Sequence, residues 1–210
     1  MTAPKVILAT NGHIESFGHY RRKLVHVMLY GSMTRVLSEK EAEHTGEANW
    51  GITPSDPSGT TFRKISGSGG ARIITRNSVS YTPEMQITAS KLASVQKAHE
   101  TSFSKRYPEL ESVEQEYTWA GRLCLSRNGV SAFGEIEPGL YSACCQNGLG
   151  VARGTLSGMA IAELACGETS ERVNSFLEEE ALQGLPPSPF DKLGANAFMR
   201  WGEFKARKEL

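Results

Sequence analysis

Leu140-Tyr141-Ser142-Ala143-Cys144-Cys145-Gln146-Asn147-Gly148-Leu149-Gly150-Val151-Ala152-Arg153-Gly154 is the stretch whose reading decides the fold. Residues 140–145 form a short apolar run between Pro138-Gly139 and Asn147-Gly148, the pattern of a buried strand bounded by turns. From Val151 onward, Leu156, Met159, Ala160, Ile161, Leu164 and Ala165 recur at helical spacing, and Gly167 supplies a stop. Gly154, Gly158 and Ala162 fall four apart, which predicts a bare helix face pressed closely on a sheet. A strand, a Gly-rich turn and a helix N-terminus aim backbone N–H groups and a positive dipole end at one point, a place for an electron-rich or anionic group. A plain strand–helix connection is the competing reading, because the glycine after Gly148 and Gly150 arrives at 154 and the Gly-x-Gly-x-x-Gly spacing is not met.

Working outward, Lys5-Val6-Ile7-Leu8-Ala9-Thr10-Asn11-Gly12 reads as a strand ending in a turn. Its unbroken apolar run predicts a parallel strand covered on both faces. Such a strand needs neighbours and crossovers before it, so a preceding segment is expected. Leu24 to Leu37 reads as extended, with Val25, Val27 and Leu29 on one face and His26, Met28 and Tyr30 on the other. Residues 39–60 read as an irregular loop with a short strand near Gly51-Ile52. Residues 60–65 and 71–76 form a hairpin through Ser66-Gly67-Ser68-Gly69-Gly70. Ile87 to Arg106 is helical, with Ala89, Leu92, Val95, His99 and Phe103 on one face and Tyr107-Pro108 as its end. His99 there is a packed core histidine in preference to a ligand. Residues 114–126 return to strand, 170–182 and 194–208 are helices, and 185–189 is a Pro-rich turn. This order gives an α+β fold carrying part of a separate α/β layer.

Length and charge narrow the function classes. The 210 residues carry 23 basic and 23 acidic side chains without a basic run, which argues against nucleic acid or an anionic membrane surface as partner. No stretch approaches the roughly 20 apolar residues of a membrane span, and no signal sequence is readable. Cys124, Cys144, Cys145 and Cys166 match no zinc spacing, and no metal is expected. Buried reduced thiols in a cytoplasmic protein is the favoured reading.

Several stretches, taken together, resemble one family. Val6-Ile7-Leu8-Ala9-Thr10-Asn11-Gly12-His13 is similar to the strand and turn with which flavoproteins of the D-amino-acid-oxidase family re-enter their dinucleotide domain. Trp119-Ala120-Gly121-Arg122-Leu123 resembles the family's Trp-x-Gly strand, and Phe133-Gly134 through Gly167 its closing strand, turn and helix. Gly194-Ala195-Asn196-Ala197-Phe198 through Trp201 resembles the tail of its glutamylputrescine-oxidoreductase-like branch. The family opens with a strand, Gly-x-Gly-x-x-Gly, a helix and an acidic residue, and none of these is found here, so the likeness is to its C-terminal half.

The resemblance implies an antiparallel or mixed substrate-domain sheet with flanking helices, plus a remnant of an α/β FAD-binding domain. Residues 1–20 and 136–210 would belong to the FAD-binding part and 21–135 to the substrate domain. It implies FAD as cofactor and oxidation of the C–N bond of a small amine or amino acid, with the N-terminal half either lost from a truncated reading frame or supplied as a separate chain. Asn147, Gly148, Leu149, Gly150 and Val151 would lie against the pyrimidine edge of the flavin, and Asn11 and Gly12 near its ring or ribityl chain. Amino-acid-oxidising relatives often carry a cation in the last loop; here the nearby positions are Gln146 and Ala152, which leaves room for an amine, and Arg153 could substitute. Arg72 falls near a flavin-facing Lys of some relatives, although a structural salt bridge is the commoner fate of such an Arg. Tyr30, Tyr81 and Trp119 are candidate cavity residues with core packing as the commoner role, and Cys124 reads as a buried structural thiol. The alternative function is a non-catalytic remnant or interaction module that has lost the cofactor.

Overall fold

The computed structural model describes residues 2–210. The chain forms two compact units, one from residues 1–27 and 122–191, the other from 28–121 and 192–210. The fold is α+β, with two sheets.

In the first unit a three-stranded sheet runs in the order β1 (Val6–Leu8), β8 (Leu140–Cys144), β7 (Ala132–Glu137). β1 lies parallel to β8, with Ile7 opposite Tyr141, and β7 pairs antiparallel with β8 through the Pro138-Gly139 turn. The expected strand over Lys5–Gly12 is shorter: from Asn11 to Phe17 the backbone winds into a 3-10 helix, because Asn11 takes a positive φ of 49°. Val6 and Ile7 are exposed, so the expectation that this strand is covered on both faces is not met; β1 is an edge strand. The strand β7 was not foreseen as an element.

Helix α3 (Gly150–Cys166) ends, as its sequence predicts, on Gly167 in the left-handed conformation. Its buried side is Ser157, Ala160, Ile161 and Ala165, and Ile161 and Ala165 pack on Tyr141 and Ala143 of β8. Gly158 and Ala162 are exposed, which corrects the expectation that the small-residue face meets the sheet. The physical reason is that Ile161 offers far more apolar area to remove from water than a glycine stripe does. The following helix, α4 (Glu171–Leu177), is capped by Ser170, whose hydroxyl accepts the Val173 N–H, and is shorter than the expected 170–182.

A five-stranded sheet has the order β3 (Trp50–Ile52), β4 (Thr61–Gly67), β5 (Gly70–Tyr81), β2 (Leu24–Thr34), β6 (Gln115–Ser126). The β4–β5 hairpin pairs antiparallel down to Gly67 opposite Gly70. On β2 the His26, Met28 and Tyr30 side is the more buried one, with Val25 and Leu29 only partly covered. The second unit packs Phe62, Ile73, Phe103 and Leu110 into one core and Met28, Tyr30 and Val95 into another. Val95 and Phe103 come from α2 (Ala89–Arg106), which is capped by Thr88. His99 on the same face is fully buried, with Nδ1 2.7 Å from Ser32 Oγ, as expected of a core histidine.

The segment 39–60 holds the short strand expected near Gly51-Ile52, as β3, and also a short helix that was not expected, α1 (Glu39–Glu43), with a capping box between Ser38 and Glu41. The last helix, α5, runs Phe190–Lys205, four residues earlier than expected. Among the described residues no helix is long and apolar enough to cross a membrane, and no His, Cys, Asp and Glu cluster suits a metal ion.

Candidate functional site

The ends of β1 and β8 and the start of α3 meet in the first unit. Parallel pairing brings the two strand ends side by side, so the residues that follow them, 9–12 and 145–150, become neighbours. Cys145 and Asn147 hold positive φ values of 57° and 51°, and Gly148 one of 84°, which turns the chain sharply from strand to helix.

Asn147 is the lock of this turn. Its Oδ1 accepts the Ser126 N–H at 2.7 Å and the Ser126 hydroxyl at 3.2 Å; its Nδ2 donates to Val130 O at 2.9 Å and Cys145 O at 3.2 Å. The side chain expected against a ligand is therefore spent on holding the loop. Gln146 is anchored similarly, with Nε2 donating to Ala143 O and Ser157 Oγ, while its Oε1 is buried without a partner. Thr10 Oγ1, one residue past the Ala9 that follows β1, is a second buried oxygen without a partner.

Helix α3 starts at Leu149 without a side-chain cap. Leu149 N–H donates to Gln146 O and Arg153 N–H to Leu149 O, but the N–H groups of Gly150, Val151 and Ala152 find no acceptor among the described residues. Unmet N–H groups at the positive end of a 17-residue helix favour an anionic or electron-rich group. Arg153 is not free to assist, because it donates to Gly129 O at 2.9 Å and pairs with Glu179.

Beneath the loop lie groups that sequence reasoning did not connect. Cys124 Sγ donates to Asn11 Oδ1 at 2.9 Å and neighbours the Cys145 thiol. That thiol contact, reinforced by burial, raises the pKa of Cys124; acceptance of the same contact lowers that of Cys145. The chain Asn11–Cys124–Cys145–Asn147 thus joins the two predicted halves of the site. Gly12 is packed so closely that a Cβ there would stand 2.9 Å from His26 Nδ1 and 3.1 Å from Cys124 Cβ. His26 Nε2 sits 2.5 Å from Glu15 Oε2, a buried imidazole–carboxylate pair under Gly12. The spacing of Glu15 and His26 carried no signal for this pair, since it forms only when the 3-10 helix folds over β2.

Arg72 belongs to the second unit. Its guanidinium, on β5, donates to Thr34 O of β2 at 2.7 Å and to Glu116 Oε2 of β6 at 2.5 Å, tying three adjacent strands together. Tyr30 is buried there with its hydroxyl on Ser80 Oγ at 3.0 Å, and Trp119 is partly exposed.

The family model described as FAD dependent oxidoreductase matches residues 1–164. The chain is 39% identical over 70 residues to the probable oxidoreductase OrdL of Haemophilus influenzae, covering 33% of this chain and 16% of that protein. It is 33% identical over 86 residues to gamma-glutamylputrescine oxidoreductase of Escherichia coli, covering 41% of this chain and 18% of that one. Among solved structures, glycine oxidase from Geobacillus kaustophilus superposes with a TM-score of 0.59 at 16% identity, over 87% of this chain and 46% of that one. A modified fructosyl peptide oxidase from Aspergillus nidulans superposes at 0.63 with 14% identity, over 90% and 49%. The chain matches less than a fifth of each of the two sequence relatives and about half of each of the two solved structures.

Proposed function

The chain belongs to the FAD-dependent oxidoreductase family, and on that premise we propose that it works as the C-terminal half of a flavoenzyme oxidising the C–N bond of an amine or amino acid. The observation that carries the reading is the uncapped N-terminus of α3, where three N–H groups lack acceptors beside the buried, unpartnered Gln146 Oε1. These residues fit the ring end of a flavin. They do not provide for its pyrophosphate, since no Gly-x-Gly-x-x-Gly occurs in the chain.

Bound FAD supplies the two-electron acceptor for a hydride equivalent from the carbon beside the substrate nitrogen. The chain's own part is electrostatic and positional. The N–H groups of Gly150, Val151 and Ala152, with the dipole of α3 behind them, would hold the ring end of the flavin and would stabilise negative charge on it. Asn147 and Gly148 hold those N–H groups in place, and Asn11 and Gly12 close the floor of the site. Gln146 stands where a carboxylate-binding cation would be, which favours an amine or modified amine over a free amino acid. Arg72, already bound to Glu116 and Thr34, suits strand-tying better than a substrate-facing role.

The rest of the enzyme would dock on the exposed apolar surface of the first unit. Val6 and Ile7 on the free edge of the sheet, with Leu149, Val151, Leu156 and Met159 on α3, are exposed, Val151 to 89%. The test is co-expression with the N-terminal, dinucleotide-binding half of a member of this family, followed by FAD. Visible flavin absorbance that an amine bleaches without oxygen is the expected result. Association of the two segments without any flavin spectrum would instead favour the non-catalytic interaction module.

A further inference from the structure

Helix α5 has two opposite faces, and only one is used. On the covered side Asp191, Ala195, Met199, Gly202 and Ala206 recur at intervals of three and four residues and, with Glu203, are the less exposed positions of the segment 190–206. Gly202 is pressed so tightly that a Cβ would stand 2.6 Å from Ser58 Oγ, and Ala206 is buried. Glu209 fixes the end of the segment by accepting Ser55 Oγ–H at 2.5 Å and Asp56 N–H at 3.0 Å. The orientation of the helix is therefore set.

On the opposite side Phe190, Leu193, Ala197, Trp201 and Phe204 form a stripe with the same spacing. Leu193 is 64% exposed, Trp201 55% and Phe204 62%, and Phe198 beside them 72%. No charge interrupts the stripe, but cations rim it: Lys205 Nζ lies 3.8 Å from the Trp201 ring centre and Arg207 Cζ 4.6 Å from that of Phe204. Residues 190–208 hold five basic and two acidic side chains, in a chain that carries 23 of each. The balanced total conceals this local excess.

We propose that this stripe seats the protein on an anionic lipid surface. α5 lies in the plane of the interface, with Leu193, Trp201 and Phe204 at the acyl boundary and Arg200, Lys205, Arg207 and Lys208 among headgroup phosphates. An amphipathic helix with aromatic residues on one face and basic residues at its margins has the composition such binding requires. A second copy pairing through the same stripe would set two net-positive rims against each other, whereas headgroup phosphates neutralise them. The inference is independent of the flavin reading.

The test is co-sedimentation of the full chain with phosphatidylglycerol–phosphatidylcholine vesicles and with phosphatidylcholine alone. Binding to the anionic vesicles is expected to exceed binding to the neutral ones by on the order of tenfold and to fall with added salt. The exposed double variant Trp201→Glu, Phe204→Glu should keep its circular dichroism and melting curve while losing vesicle binding, and Arg207→Gln, Lys208→Gln should lose the anionic preference. Equal binding to both vesicle types, or unimpaired binding by the Glu variant, overturns the proposal. So does a salt-resistant dimer that the Glu variant splits without any vesicle binding, which assigns the stripe to a second copy.

Discussion

Asn147 Oδ1 accepts the backbone N–H of Ser126 at 2.7 Å, and through this contact the loop after β8 is fastened to the last residue of β6. The same side chain makes four further hydrogen bonds while its backbone sits at a φ of 51°. Asn147→Ala removes all five and places a less tolerant residue in the left-handed region. The expected loss is about 2–3 kcal/mol, read as a lower urea midpoint with unchanged slope, because buried partners are left unsatisfied. Asn147→Gly should recover only the backbone share of that loss.

Gly12 admits no side chain. Gly12→Ala would drive a methyl to 2.9 Å from the His26 ring and 3.1 Å from Cys124 Cβ, so we expect destabilisation of about 1–3 kcal/mol in thermal unfolding. Combining it with His26→Ala should give a double variant less destabilised than the sum of the singles, since the ring that blocks the methyl is gone.

Burial lowers the pKa of His99 below its ordinary 6.5, against the smaller opposing effect of its hydrogen bond to Asn77. The unfolded chain then takes up the proton first, so stability is full above pH 6.5 and falls as the pH drops through that value. Chemical denaturation of the wild type should show this acid-side loss. His99→Gln should flatten that part of the profile even though it is less stable at neutral pH.

Val151 lies in the first turn of α3 and is exposed. A carboxylate there favours the helix dipole by about 0.3–1 kcal/mol at low salt. Val151→Asp should therefore leave the chain as stable as the wild type or slightly more so, while weakening FAD retention in the reconstituted enzyme by roughly tenfold, the effect expected of about 1.4 kcal/mol of lost binding. Reduced stability together with unchanged flavin retention would remove the α3 N-terminus from the site.

Elements with local signals were legible in the sequence. The β4–β5 hairpin follows from its Gly-Ser turn, α2 from its apolar spacing and Tyr107-Pro108 stop, and the β8–α3 junction from Asn147-Gly148 and Gly167. A capping box at Ser38 and Glu41 marks α1 as well, but the surrounding Gly, Pro and Ser outweigh that signal. β7 carries a weaker signal, since Pro138-Gly139 marks the start of β8 as readily as the turn of a β7–β8 hairpin.

What the sequence by itself determined was therefore most of the elements, the family, and the turn that carries the candidate site, because turns, caps and periodicity are written within a few residues. Only the tertiary structure decided which face of α3 is covered, that Asn147 serves the loop, that Arg72 ties strands, and that Glu15, His26, Asn11 and Cys124 meet under Gly12. Those outcomes depend on contacts between residues 11 to 113 apart in the chain, where burial of one side chain competes with burial of another and no local spacing records the winner.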